Sequence, residues 1–196
     1  MKKWLPLIII VVILIGIFRW GVGLNNTMVE KQETARTQWA NVESAYQRRS
    51  DLIPNLVSTV KGYADFEKET LESVIQARAN ATKTTIDPSN ITPEQMAQFQ
   101  ESQNSLTGAL SRLMVVVERY PDLKANQNFL DLQGQLSEIE EQIQFSRRYY
   151  NGTARDMNIL VQSFPSNIIA NSFGFKMADY FEIELATERE TPKVEF

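Results

Sequence analysis

Neither cysteine nor histidine occurs anywhere in the 196 residues. Without cysteine there is no disulfide, no thiolate nucleophile and no thiolate metal ligand. Without histidine the commonest general base and the commonest metal ligand are both missing. The Glu-x-x-His pairs of di-iron bundles go with them. There is no glycine-rich phosphate loop and no GxSxG nucleophile elbow. Basic charge is scarce where nucleic acid would need it. Net charge is −4, and Lys2, Lys3 and Arg19 stand in the first 24 residues without a compensating acid, so the remainder carries −7. An acidic body argues against nucleic acid as the main partner, because phosphate binding needs a basic face, and against lying flat on anionic lipid.

What is present at the start is a long apolar run. Leu5 to Phe18 holds twelve Leu, Ile, Val or Phe among fourteen residues, interrupted by Pro6 and Gly16. The composition predicts a transmembrane helix, residues 1–24, with the lipid bilayer as its partner. Trp4 and Trp20 bracket the run about 24 Å apart along a helix, and with Arg19 they are the expected membrane-interface residues. Snorkelling cations lengthen the span to match a hydrocarbon core of about 30 Å. A cleaved signal peptide ending at Gly21-Val22-Gly23 is the competing reading. Positive-inside counting sets Lys2, Lys3 and the amino terminus against Arg19, Lys31 and Arg36. It favours an exported body, with a cytoplasmic body as the alternative.

From residue 28 onward the apolar spacing alternates threes and fours, the period of packed helices. Met28, Ala35, Trp39, Val42, Tyr46, Ile53, Leu56, Val60 and Tyr63 fall on one stripe, which fades near residue 83. Residues 87–93 form a loop, and Thr92, Pro93 and Gln95 predict a capping box opening the next helix. Phe99, Leu106, Leu110, Leu113, Val117 and Tyr120 make its stripe, ended by Pro121-Asp122. A third stripe runs from Phe129 to Phe164 and keeps phase across Asn151-Gly152. One long helix is the reading preferred there, against a break with Thr153 as a new cap. Residues 166–175 predict a short helix closed by Gly174. The fold class is therefore all-α: an N-terminal transmembrane helix leading into an elongated antiparallel bundle of three long helices plus a short C-terminal one. The expected divisions are an anchor (1–24), a helical stalk (25–53), a bundle (54–182) and a polar tail (183–196).

Three segments resemble the LemA family of bacterial membrane proteins. They are YQRRSDLIPNLVSTVKGYADFEKETLESVIQARA (46–79), YPDLKANQNFLDLQGQLSEIEEQIQFSRRYYN (120–151) and FPSNIIANSFGFKMADYFE (164–182). The resemblance implies a bacterial source, and with it the cytoplasmic membrane. It also implies one N-terminal span and a long helical bundle. It implies no catalytic residue, so none is assigned, and no cofactor-binding or metal residue either.

Pro54 should kink the first helix, because its ring removes one hydrogen bond and crowds the preceding turn. Equal rise along a first helix reaching residue 83 and a second descending to Tyr120 would put Pro54 at the base of the bundle. The stalk below would then have no intrachain helix beside it, although Met28, Ala35, Trp39, Val42 and Tyr46 line it at coiled-coil spacing. An apolar stripe without a partner in its own chain implies one in another chain. These five residues are thus the expected oligomer or partner interface, for a homo-oligomer or an unidentified protein. The competing reading folds the third helix or the C-terminal segment over them. Glu138, Glu140 and Glu141 read as solvated acids rather than a cation site. Arg48-Arg49 and Arg147-Arg148 read as salt-bridge donors to neighbouring helices. The expected function is a membrane-anchored scaffold or adaptor without catalysis. The alternative is a small-ligand binder or enzyme with its site inside the bundle.

Overall fold

The computed structural model describes residues 4–62, 67–84, 86 and 91–181. Lys2, Lys3, the loop residues 87–90 and the expected tail 183–196 lie outside them. Among the described residues every regular element is a helix: α1 (Leu5–Lys61), α2 (Lys68–Lys83), α3 (Pro93–Val117), α4 (Pro121–Lys124), α5 (Gln127–Gln162) and α6 (Ser166–Phe173).

The 57 residues of α1 run from the apolar segment into the body without interruption, about 85 Å at the rise of an α-helix. Its N-terminal part is long and apolar enough to cross a membrane, and none of that apolar window is buried in the protein. The expected stop near residue 83 is corrected: α1 ends at Lys61, with Gly62 as its cap, and α2 begins at Lys68. The stripe concealed this break. Leu71, Val74, Ala77 and Ala81 on α2 share one core with Ile53, Leu56 and Val60 on α1, and a hydrophobic period reports which face is buried, not whether the chain has turned back.

Cross-links fix the directions. Arg78 on α2 reaches Ser50, so α2 descends beside α1. Arg49 contacts Gln103, and Arg119 pairs with Glu67, so α3 climbs again. Its start is the predicted capping box, with the Gln95 N–H donating to Thr92 Oγ1 and the Thr92 N–H to Gln95 Oε1. The turn at α4 therefore lies at the far end, where Leu123 joins the cluster of Val60 and Leu113. It does not lie at the base, as equal-rise counting had placed it. From there α5 descends unbroken through Asn151 and Gly152. With 36 residues against 25 for α3, it overshoots α3 by about 16 Å. It continues down α1 as far as the Lys31–Asp156 ion pair at 3.6 Å.

That overshoot overturns the bare stalk. Met28, Ala35, Trp39, Val42 and Tyr46 are all buried within the chain, Met28 and Val42 completely. Trp39, Val42 and Tyr46 share a core with α5, α3 and the segment after α6, so the reason for assigning the stripe to another chain is gone. The competing reading, cover from the third long helix and the C-terminal segment, is what the structure shows. The short α6 ends at Gly174, whose φ of 75° is the left-handed cap that glycine adopts without strain.

Candidate functional site: an aromatic clasp on the membrane-proximal helix

Trp39 is the hub of the lower core. Its ring stacks on Phe181 at 5.4 Å and 8°, and meets Phe99 and Tyr150 at 5.5 Å each in tilted and edge-on contacts. These are offset and T-shaped geometries, each contributing about 0.5–1.5 kcal/mol beyond area burial. The four rings come from α1, α3, α5 and the chain after α6, so the cluster joins all the parts that meet at this level.

Residues 175–181 form an extended strap without regular structure. Two amides on α5 hold it. Asn158 donates to Ala178 O at 2.8 Å and accepts from the Ala178 N–H at 2.7 Å. Asn151 does the same for Phe181, at 2.9 Å both ways. Seven residues of helix rise about 10.5 Å, and three residues of extended chain span about 10 Å. The match lets both clamps close on a strap running antiparallel to α5. Between them the Tyr150 hydroxyl donates to Asp179 O at 3.0 Å. Burial, and then the charge of Asp179, push the Tyr150 phenol well above its ordinary range. Burial, and then Glu94, raise the Asp179 carboxyl as well.

A cavity of about 270 Å³ opens beside the clasp, lined among others by Ala35, Arg36, Trp39, Tyr150, Met157 and Lys176. Two donors on its lining residues, Trp39 Nε1 and Arg36 Nε, are buried without a hydrogen-bond partner among the described residues. Among the described residues the lining holds no carboxylate; its polar side chains are Gln32, Arg36, Trp39, Tyr150 and Lys176.

Higher up, Arg49 is buried across three helices. It donates to Gln103 Oε1 at 2.8 Å, Thr107 Oγ1 at 2.9 Å and Glu140 Oε2 at 3.1 Å. Pro54 sits inside a continuous helix. Having no N–H, it leaves the Ser50 carbonyl without its helical donor, and Arg78 Nε supplies one at 2.7 Å. Arg147 lies over the Phe181 ring at 5.2 Å.

The sequence-predicted residues thus separate into three groups. Trp4, Arg19 and Trp20 are exposed on the apolar length of α1. The stripe from Met28 to Tyr46 is gathered into the clasp and its flanks. Pro54 and Arg49 serve contacts between helices, as the salt-bridge reading of the arginines anticipated. Asn151, Asn158 and Phe181 were missed as a group. Asn158 and Asn151 are polar residues at a heptad spacing on a buried face, and that signal was there to find.

Fold and site together define a membrane-associated, all-helical protein in which two side-chain amides on α5 hold the backbone of the strap. Residues 38–196 match the LemA family model, and the chain belongs to that family. It is 27% identical to Protein LemA of Metamycoplasma hominis over 83% of this chain and 71% of that one. It is 29% identical to Magnetosome protein MamQ 2 of Paramagnetospirillum magneticum over 80% of this chain, and 26% identical to Magnetosome protein MamQ of Magnetospirillum gryphiswaldense over the same share. This chain spans 64% of the length of each of those two magnetosome proteins.

Proposed function

We propose that this protein is a membrane-anchored scaffold that acts through protein contacts and carries out no catalytic step. The observation that supports this reading is the outward pair Phe145–Tyr149. Their rings stack at 6.0 Å on α5, yet they are 60% and 54% exposed. The inner seams are closed by the chain's own helices, so this aromatic step is apolar surface left for another molecule. A second copy of the chain is its proposed occupant. Native mass measurement of the full chain in lipid nanodiscs tests it. An assembly larger than the monomer, reduced to the monomer by Phe145→Ser with Tyr149→Ser, is expected. A monomeric wild type, or an assembly indifferent to the substitutions, overturns the self-association.

The body is proposed to face away from the cytoplasm of a bacterial cell, on the count of Lys2, Lys3 and the amino terminus before the span. The native chain has no cysteine, so Val115→Cys gives a single reporter. Labelling of intact cells by a membrane-impermeant maleimide is expected, and labelling only after lysis reverses the orientation. A second reading, a small-ligand binder, is supported by the cavity beside Trp39 and by the two donors on its lining residues that are unpartnered among the described residues. Its mark would be a ligand that shifts Trp39 emission and loses affinity in Arg36→Met.

A further inference from the structure

We infer that α6 and the turn before it form a second, shallow membrane contact, lying in the boundary between headgroups and acyl chains beside α1. The inference rests on the first part of α1 being the span. The closing experiment tests the two separately.

Height comes first. A hydrocarbon core of about 30 Å takes about 20 helical residues, which from Trp4 reaches the neighbourhood of Gly23. A side-chain carbon at Gly21 would lie 3.5 Å from Ile169 Cδ1. Ile169, and α6 with it, is therefore level with the edge of the hydrocarbon, where Trp20 also stands. The body is folded down until this helix touches the anchor.

Chemistry comes second. Residues 166–173, SNIIANSF, hold no charge. Ser166 and Ala170 are buried on one side. Ile168 lies opposite that pair and Ile169 about 80° round from it, at 100° per residue, whereas Phe173 in the last turn falls within about 60° of both and is nevertheless exposed. Ile168 is 56% exposed and Phe173 65%, and Phe164 in the preceding turn is 81% exposed. Three large apolar side chains bare to solvent at the height of the bilayer surface form a surface suited to lipid. Ile169 of the same helix meets α1 at Gly21. A short amphipathic helix with a neutral polar side binds such a boundary by apolar burial. This is compatible with the acidic body, because no attraction to anionic headgroups is needed.

Nitroxide labels on single cysteines test the contact in the full chain. Labels at Phe164→Cys, Ile168→Cys and Phe173→Cys are compared with one at Val115→Cys, which is exposed on the upper part of α3. The protein is reconstituted in vesicles of phosphatidylethanolamine and phosphatidylglycerol, and again in phosphatidylcholine alone. The expected result is a several-fold higher ratio of oxygen to aqueous nickel-chelate collisions at the three α6 sites than at position 115, in both lipids. A ratio equal to that at position 115 overturns the proposal. So does exclusion of both reagents together with a short label-to-label distance between copies, which marks a protein interface, and so does a contact seen only with the anionic lipid. Resistance of the vesicle-bound protein to alkaline extraction reports the span itself. Extraction at high pH therefore points to failure of the anchor, whereas a firmly held protein with wet labels refutes only the α6 contact. The unlabelled Ile168→Ser, Phe173→Ser variant, checked by helical circular dichroism, is expected to fold and to leave Trp20 more accessible to aqueous quencher. An unchanged Trp20 in the folded variant counts against the contact.

Discussion

Arg49 ties α1 to α3 and α5 through one guanidinium. Its partner Glu140 is 42% exposed, so water screens much of the Coulomb attraction, and the directed hydrogen bonds to Gln103 and Thr107 matter more. A lysine cannot reproduce that fork. Arg49→Lys is expected to cost about 2–3 kcal/mol in urea unfolding, in the range of lost hydrogen bonds to a charged group. The amide clamps make a similar prediction for the strap. Asn158→Asp keeps the acceptor for the Ala178 N–H but sets a second acceptor against its carbonyl. About 2 kcal/mol is expected, with faster hydrogen exchange at Ala178 and Phe181 as the local readout. Asp179 adds a pH dependence. Its carboxyl is raised in the folded protein, so the native state holds that proton more tightly than the unfolded chain. The associated stability is complete below the ordinary carboxylate value and is lost as pH rises through the raised one. Asp179→Asn should therefore raise the melting temperature at pH 7, by an amount that fades as the solution is acidified through that window.

Among the elements, Pro54 and Arg78 make a coupled pair. Arg78→Ala should strand the Ser50 carbonyl at a cost of about 1–3 kcal/mol. In a Pro54→Ala background the restored N–H can take over that carbonyl, and the same arginine substitution should cost much less. The double-mutant cycle, read by chemical denaturation, checks the coupling. The proline was legible in the sequence and so was the hydrogen bond it removes; the donor that replaces it was not, because Arg78 is brought there by the reversal after Lys61. Elements with local signals were legible throughout: the Thr92–Gln95 box, the continuity of α5, and the short helix closed by Gly174. The reversal itself was hidden because α1 and α2 bury their stripes in one core and so keep a common period. The cover over the stripe from Met28 to Tyr46 was hidden for a different reason. Phe181 lies in an extended strap with no periodicity, and its place is set by two side-chain amides rather than by any backbone pattern.

At the scale of the whole molecule, Trp39 joins the first helix to the last described residue, Phe181. Trp39→Ala would remove a buried ring touching three others, at about 3–5 kcal/mol, and should release the strap as well as loosen α5 from α1. Increased protease cleavage after residue 174, with the upper core around Leu106 still protected, is the expected pattern. The uninterrupted α1 has one more consequence. A shaft with no hinge between lipid and body transmits rotation, so the compass bearing of Phe145 and Tyr149 in the plane of the bilayer is set by helical register alone. Adding one residue between Leu24 and Met28 would swing the upper molecule by about 100° and lift it by about 1.5 Å, turning its aromatic step away from whichever neighbour it had faced.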